Sequence, residues 1–414
     1  PWVQQRVATA AVTALNRNGN TRFELGSFRL RFPLRLEVSG LYMIDNASGD
    51  TLVAAREAEA SARILPLLGG DIELDGVVLR DARYRMGGPE SSMSLDASLR
   101  MVDIQPSSIR LGQTVDIDLS DALIEGGHVA IAIRPDTIEA DTAAKEATRM
   151  AIHAQNLTLR DFRYSMSLPP TIDSLGAYMS EATLAGGVID LENQRVDIEA
   201  FRAGGLDAAY ITAPSGVSVA ATPEVSAVAD SVQSAPWTIN ISQIGIDVSR
   251  VLYTSRGAVP QPGLDFGYIA VDSLDLDVEG FYNRASELRL PVKRLHGVER
   301  CGLAIDASGL MRIDSAALHF DGFELRAPAT SLSFSGMMGM GDMAADPTLP
   351  LGLNVNGHVG AGDAAMMFPQ AAPMLSGLPA ASPVKVGIDV DGTTGRLNLR
   401  RAAIEVNRCV EIKA

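Results

Sequence analysis

The chain has 414 residues, of which 46% are hydrophobic and 21% are charged, values that are typical of a folded protein and exclude a disordered one. Its 35 Lys and Arg residues against 50 Asp and Glu residues give a net charge of −15, and no run of basic residues forms a stripe, so nucleic acid is excluded as a partner. Plentiful Gly (38) and Pro (21) with only 5% aromatic residues suit many strands joined by turns.

Residues 1–20 predict a helix, because Val7 and Leu15 fall on one apolar helix face and Gly19 can end the element. The chain starts at Pro1 without a signal peptide or a membrane-spanning segment, and its last residues read as an interrupted strand. We therefore expect a fragment of a longer protein.

From residue 21 the hydrophobic period changes from 3.6 to 2, which indicates half-buried strands with one apolar side. This alternation predicts a first β segment over 21–135, a second over 157–212 and a third over 238–360. Further strands follow over 384–414 and run into a missing C-terminal part. The predicted fold class is mainly β, an elongated antiparallel sheet with a few short helices.

Three stretches interrupt the strands. Residues 136–156 are rich in Ala, Glu and Lys and predict an inserted helix. Residues 213–237 are a low-complexity run of Ala, Ser and Val and predict a loop. Residues 361–383 predict an apolar helix broken by Pro369 and Pro373, either packed onto a sheet or acting as a lid over an apolar groove.

One strand pattern occurs twice, as VVLRDARYRM at Val77–Met86 and as LTLRDFRYSM at Leu157–Met166. Looser forms occur at Leu36–Met43 and Ile246–Ser255, and all four share alternating apolar positions, a break at Gly, Asp or Arg, and a Tyr. The spacing is not constant, which argues against a short-period β-helix or a propeller. We interpret the repetition as the extension of one sheet, with the Leu of each Leu-Arg-Asp in equivalent places.

No catalytic signature is present, so we expect a protein that is not an enzyme and that uses no cofactor and no metal. None of the five histidines has a metal-binding spacing, and no nucleophile elbow occurs. The glycine clusters at Gly336–Asp342 and Gly357–Asp363 have the order GxxGxG, which favours turns over a phosphate cradle. Cys301 and Cys409 form either one disulfide or two separate thiols.

The clearest apolar rows are the candidate lining of an apolar groove. They are Ile72 and Leu74; Val129, Ile131 and Ile133; Leu274, Leu276 and Val278; Leu351, Leu353 and Val355; and Val384, Val386, Ile388 and Val390. The same rows would also form the core of an ordinary β-sandwich. The sequence pattern therefore leaves open whether this apolar face is exposed or closed.

Three stretches resemble the AsmA-like and TamB-like (translocation and assembly module) family. ILPLLGGDIELDGVVLRDARY at Ile64–Tyr84 is similar to the AsmA-like pattern of an apolar Leu-Leu-x-Gly turn that leads into strands. Pro1–Ala55 resembles the start of TamB-like proteins of the Bacteroides group, with a Gly-Leu-Tyr-x-x-Asp and Gly-Asp-Thr-Leu strand pair at Gly40–Leu52. Gly357–Val406 is similar to a recurring TamB unit, a helix with Phe-Pro followed by two strands.

The resemblance implies a periplasmic protein that is anchored in the inner membrane, here without its anchor helix. The family's fold is a long curved sheet, a half-pipe or repeating β-groove with an apolar inner face. The resemblance further implies transport or holding of phospholipid between the two membranes, with acyl chains as ligand. The alternative role is a non-enzymatic scaffold for the assembly of outer-membrane β-barrel proteins with a TamA- or BamA-type partner. No catalytic residues carry over.

The residues themselves are compatible with two hypotheses. One is a half-pipe whose apolar face holds acyl chains, each buried CH₂ contributing roughly 0.8 kcal/mol. The other is a β scaffold with a closed core whose edge strands dock a partner. An enzyme or glycan-binding domain is disfavoured, because only Trp2 and Trp237 could provide large aromatic platforms.

Overall fold

The structure of the chain is a computed structural model. It describes residues 21–31, 35–46, 49–62, 72–88, 91, 93–111, 115–134, 150–169, 172–190, 192–212, 237–285, 287–339, 346–406 and 410–413. The chain divides into two compact units. Unit 1 spans Pro1–Glu199 and Asp207–Ala235, and unit 2 spans Ala200–Leu206 and Pro236–Ala414.

Unit 1 is built from long strands that follow one another in sequence order. They are β1 (Thr21–Arg31), β2 (Arg35–Asp45), β3 (Thr51–Ala62), β4 (Ile72–Met86), β5 (Met93–Leu111), β6 (Val115–Ile133), β7 (Met150–Leu168), β8 (Ile172–Asp190) and β9 (Arg195–Thr212), the last of which contributes its middle residues to unit 2. Apart from Ala200–Leu206, the predicted first and second β segments both belong to this unit.

Besides the middle of β9, the described residues of unit 2 form ten strands and two short helices. The strands are β10 (Thr238–Ser255), β11 (Tyr268–Arg284), β12 (Glu287–Glu299), β13 (Ala304–Ile313), β14 (Ala317–Ala327), β15 (Thr330–Gly339), β16 (Pro350–Gly360), β17 (Pro383–Thr393), β18 (Arg396–Val406) and β19 (Val410–Lys413). The helices α1 (Ala361–Met367) and α2 (Ala372–Leu375) flank a 3₁₀ turn at Pro369–Ala371.

Most neighbouring strands are antiparallel, as the alternating pattern and the short turns between strands predict. The exception among the described pairs is β6 with β7, which run parallel from Val115 opposite Met150 to Ala132 opposite Ser167. The sequence analysis expected antiparallel neighbours throughout, and this pair departs from that. Period-2 alternation is the same in both orientations, so it does not distinguish them.

The predicted helix over 136–156 is wrong for its last residues. Met150–Asn156 lie in β7 and pair with β6 on one side and β8 on the other. Within them Ile152–Gln155 alternate apolar and polar, and the strand pairing on both sides outweighs the helical propensity of Ala and Met. The earlier part of that helix, the N-terminal helix and the loop over 213–236 lie outside the described residues.

The broken helix near the C-terminus is confirmed. Helix α1 ends at Met367, Pro369 starts the 3₁₀ turn, and Pro373 lies in the first turn of α2, where a missing N–H costs nothing. The predicted fold class is also confirmed: the protein is mainly β, an open and largely antiparallel sheet architecture with only these two short helices among the described residues.

Candidate functional site

Strands β3 and β4 of unit 1 carry a kink near their middle, at which two consecutive side chains of each strand lie on the same face. Arg56 Nη2 lies 2.7 Å from Asp81 Oδ2, Arg80 Nε lies 3.5 Å from Glu57 Oε2, and Arg56 Nε lies 3.8 Å from Glu57 Oε1. In an unbroken strand, successive residues would point to opposite faces. The kink therefore shifts the alternation by one residue, and the apolar side chains before and after it share one face.

Left-handed backbone conformations produce these kinks. Gly40, Asp81, Gly126 and Asp161 have φ angles of 69°, 48°, 65° and 51°. The strand registers align them in one row across the sheet. Gly126, for example, falls opposite Asp161, because the residues immediately before and after Gly126 pair with those immediately before and after Asp161. Gly adopts this conformation without strain, and Asp is one of the few other residues that tolerate it.

The repeated sequence pattern encodes this kink. In three of the four occurrences the break contains the left-handed residue, Gly40, Asp81 or Asp161, whereas on β10 the left-handed residue is Val248, with φ of 44°, two positions before the break at Arg250. The Tyr of the pattern is not an equivalent position, because Tyr84 and Tyr164 follow the left-handed residue by three positions and Tyr42 follows it by two.

Apolar rows cross unit 1 on either side of the kinks. As predicted, Leu79 and Leu159 lie in equivalent places, since both belong to one cross-strand row. The row consists of Val38, Ala58, Leu79, Val102, Ile124, Leu159 and Ala182. On the other side of the kink, Gly127 leaves room for the Phe162 ring, because an added Cβ would lie 2.5 Å from a ring carbon.

The groove residues predicted in unit 1 fall on two strands. Val129, Ile131 and Ile133 lie on β6 and are half-buried, with Val129 between Ala97 and Tyr164 of the adjacent strands. Ile72 and Leu74 lie near the start of β4, and nothing is described of their side chains.

Unit 2 has a corresponding apolar row that runs across nine strands and includes two predicted groove residues, Leu276 and Val386. The row consists of Ile246, Leu276, Leu295, Ala307, Leu325, Leu332, Gly357, Val386 and Ile404. Residues at its β18 end are exposed, Ile404 to 43% and the nearby Leu399 to 54%. This face thus becomes more open toward β18.

The other groove residues predicted in unit 2 lie either on β11 or on β16 and β17. Leu274 and Val278 are buried, Val278 almost completely. On β16 and β17, Leu353 faces Val390 and Val355 faces Ile388, while Leu351 faces Gly392. Val384, the remaining one, faces Val359 and is half-buried like Leu351.

An aromatic cluster on the same face was missed by the sequence analysis. The rings of Phe323 and Phe334 are stacked with centroids 5.3 Å apart, and Phe320 meets Phe323 edge to face at 5.5 Å. A β-bulge with Gly322 at φ of 58° separates Phe320 from Phe323. The sequence feature that could have indicated this bulge is the Asp-Gly pair inside an otherwise alternating strand.

The opposite face of the strands is polar and carries cross-strand ion pairs. Arg100 pairs with Glu125 at 2.7 Å in unit 1, and Arg312 pairs with Asp321 at 2.8 Å in unit 2. These pairs are solvent-exposed and contribute little to stability individually. They make one side of the sheet hydrophilic, which leaves the apolar rows as the side that a ligand would contact.

The helical segment, which was predicted either to pack onto a sheet or to act as a lid, lies against the β14–β15 turn at one end of the strands of unit 2. The Asp363 carboxylate accepts hydrogen bonds from Ala329 N at 2.8 Å and from Thr330 Oγ1 at 2.7 Å, and Gly360 N donates to Thr330 Oγ1 at 3.1 Å. Asp363 and Thr330 are both buried. The segment is therefore firmly attached at the β14–β15 turn.

The turn between β12 and β13 is well enclosed, and Leu303 in this turn is 2% exposed. Glu299 is also buried and accepts a hydrogen bond from Cys301 N, 2.6 Å from its Oε2. Desolvation, with a hydrogen bond to Glu299 as a second cause, raises the pKa of the Cys301 thiol. Cys301 is a free thiol, and Cys409 lies outside the described residues.

Within the described part of the chain, no three His, Cys, Asp or Glu side chains gather closely enough to hold a metal ion. No helix among the described residues has the length and hydrophobicity to cross a bilayer. Comparison with known proteins found no similar family model, curated protein or solved structure. The resemblance drawn from the sequence stays a prediction.

Proposed function

We propose that the protein holds or conducts phospholipid through the apolar face of its sheets, as part of cell-envelope biogenesis between an inner and an outer membrane. One observation supports the proposal. Continuous apolar rows cross many strands on one face, and the other face carries cross-strand ion pairs. An apolar sheet face of this extent needs a cover, and acyl chains are a suitable one.

The dimensions of the rows fit this ligand. Neighbouring strands are about 4.8 Å apart, so a row across seven strands of unit 1 is about 29 Å long. A bilayer's hydrocarbon core is about 30 Å thick, so one acyl chain extends over about half of that length. Each row of unit 1 would then accommodate about two chains end to end.

The proposal places the protein in the periplasm, attached to the inner membrane by a segment outside this sequence. It makes the protein a carrier and not an enzyme, with phospholipid acyl chains as its ligand. The resemblance to AsmA-like and TamB-like sequences supports the location, and the amphipathic sheet supports the ligand.

Lipid extraction followed by mass spectrometry tests the proposal. The protein is purified without detergent, with a soluble β-sandwich protein prepared in parallel. Near-stoichiometric phospholipid is expected in this sample alone. Leu276→Asp and Val386→Asp should lose it, because both place a charge in the apolar row, whereas Val248→Asp should retain it, since Val248 is exposed and outside the row.

Equal traces of lipid in both purified proteins would refute the proposal. Denaturant unfolding of each variant separates loss of lipid from loss of fold. If only those variants that have lost their cooperative unfolding transition also lose lipid, the loss of lipid is no evidence for binding on the apolar face.

A further inference from the structure

The two closest copies of the repeated pattern place a tyrosine at the same point of the apolar face of unit 1. Tyr84 and Tyr164 each lie three positions after a left-handed Asp. The neighbouring Arg85 pairs with Asp96 on the polar face, and side chains alternate along a strand, so Tyr84 lies on the apolar face. Tyr164 lies on the same face, because both tyrosines belong to one cross-strand row.

This row is otherwise built from apolar side chains. We call it the tyrosine row, and it consists of Met43, Val53, Tyr84, Ala97, Val129, Tyr164 and Ala177. Tyr84 and Tyr164 are three strands apart, which is about 14 Å at the usual spacing of about 4.8 Å between strands. Ala97 and Val129 lie between them and have shorter side chains, so the two phenol rings project beyond this part of the row.

The hydroxyls of both tyrosines lack a strong acceptor. The Tyr164 hydroxyl donates to Met166 Sδ at 3.4 Å, and a thioether sulfur is only a weak acceptor. Burial raises the pKa of Tyr164 above its ordinary value of 10.0, so the hydroxyl remains a donor at neutral pH. Tyr84 is 37% exposed, and within the described part of the chain its hydroxyl has no hydrogen-bond partner. A ligand that displaces water from these donors without offering an acceptor would bind at a cost.

We propose that Tyr84 and Tyr164 donate hydrogen bonds to the ester carbonyls of acyl lipids held on the apolar face. The inference rests on the proposed function and names the part of the lipid that this face recognises. A plain hydrocarbon chain would cover the tyrosine row but leave both hydroxyls unsatisfied. An ester carbonyl supplies an acceptor directly at the end of an apolar chain, so an acyl ester satisfies the hydroxyls and covers the row at the same time.

The spacing of the two tyrosines fits an acyl chain that lies along the row. One acyl chain extends over about 15 Å, half of a hydrocarbon core of about 30 Å, and the tyrosines are about 14 Å apart. A chain whose ester meets one tyrosine therefore ends near the other, where the ester of the next chain can bind. The repeated pattern thus sets the positions of successive lipids along unit 1.

Competition between two matched phospholipids tests the proposal. The full 414-residue chain is incubated with vesicles that contain equal amounts of dioleoyl phosphatidylcholine and of its dioleyl ether analogue, which lacks the ester carbonyls. Mass spectrometry of the re-isolated protein should find ester over ether lipid in a ratio of about 3 to 10, the preference that one hydrogen bond provides. The double variant Tyr84→Phe with Tyr164→Phe removes only the two hydroxyls, so its bound lipids should match the composition of the vesicles.

Tyr178→Phe is the matched control. It removes a hydroxyl from the polar face of β8, where the Arg163 guanidinium lies 5.4 Å from the ring centroid, and it should keep the wild-type ratio. Equal amounts of the two lipids on wild-type protein, or an ester preference that survives in the double variant, would overturn this inference and leave the proposed function standing. If wild-type protein takes up neither lipid, both fall.

Infrared spectroscopy reports the hydrogen bond itself. The ester carbonyl band of a lipid is separate from the amide bands of a protein and moves to lower wavenumber when the carbonyl accepts a hydrogen bond. The band of dioleoyl phosphatidylcholine bound to wild-type protein should therefore lie below that of the same lipid bound to the double variant. Identical bands would contradict the inference, whatever the amounts of lipid bound.

Discussion

Arg56 and Asp81 form an ion pair of 2.7 Å between neighbouring strands, at the kinks where β3 and β4 each place two consecutive side chains on the polar face. The pair shows why an otherwise regular pattern breaks in mid-strand. Without the kink, the apolar residues after it would turn to the polar face. The kink thus keeps one face apolar along strands of up to 19 residues.

The kink predicts a specific order of substitutions at Asp161. Asp161→Gly should change the free energy of unfolding by less than about 1 kcal/mol, because Gly adopts positive φ freely. Asp161→Val should lower it by about 1–3 kcal/mol, because a β-branched residue is strained there. Denaturant unfolding measures both. Thr158→Val on the same strand is the control, and a cost for it equal to that of Asp161→Val would refute the explanation.

Val248 offers the converse experiment. This β-branched residue has φ of 44° and is exposed, so it carries backbone strain without a packing gain. Val248→Gly should raise the free energy of unfolding by about 1 kcal/mol. The backbone N–H of residue 248 keeps its hydrogen bond to Asp275 Oδ1 in the variant. A destabilised variant would show that the conformation is not strained.

The contact between Gly127 and Phe162 predicts a coupled pair. Gly127→Ala places a Cβ about where the ring lies, so it should cost about 1–3 kcal/mol of unfolding free energy. In the background of Phe162→Leu the same substitution should cost less, because the smaller side chain can move aside. A double-mutant cycle of unfolding free energies measures the coupling. Additive effects would exclude the steric explanation.

The attachment of the helical segment depends on Thr330. Thr330→Val removes the hydroxyl between Asp363 and Gly360 N and leaves two buried polar groups short of a partner. We expect a loss of about 1–3 kcal/mol in the free energy of unfolding. Thr348→Val is the control, because it removes an exposed hydroxyl that bonds to Asp346, and it should cost about 0.5 kcal/mol or less.

The turn between β13 and β14 predicts a pH dependence. The backbone N–H groups of Ala316 and Ala317 donate to Asp314 and, with His319, hold the pKa of its carboxyl below the ordinary value of 3.8. A lowered folded-state pKa stabilises the fold above the unfolded-state value, and this contribution is lost as the pH falls through the folded-state pKa.

Asp314→Ala should therefore destabilise the protein above about pH 5 and approach wild type as the pH drops below 3.8. Unfolding midpoints over a pH series check this. Ser315→Ala, in the same turn, should show a difference from wild type that is independent of pH. A similar pH-independent difference for Asp314→Ala would mean that ionisation of the carboxyl does not matter.

The strands and the broken helix could be predicted from the sequence, because period-2 alternation and proline each determine the conformation of a few neighbouring residues. The repeated Leu-Arg-Asp motif marked the kinks, but their left-handed backbone was not predicted, since Asp gives no strong signal for positive φ. The parallel pairing of β6 with β7 could not be predicted, because strands in parallel and antiparallel pairs have the same hydrophobic period. The cluster of Phe320, Phe323 and Phe334 depends on a bulge that aligns residues of two strands, which local sequence does not define.

The pairing of strands that are adjacent in the chain has a consequence for folding. A hairpin closes a short loop at a low entropic cost, so each new strand can be added to the edge formed by the one before it. Synthesis from the N-terminus supplies the strands of each unit in this order. The parallel pair of β6 and β7 interrupts the series, since Met150 must return to Val115 before pairing begins. We expect assembly of unit 1 to pause at this step, with the open edge of β6 as the surface most exposed to misassembly.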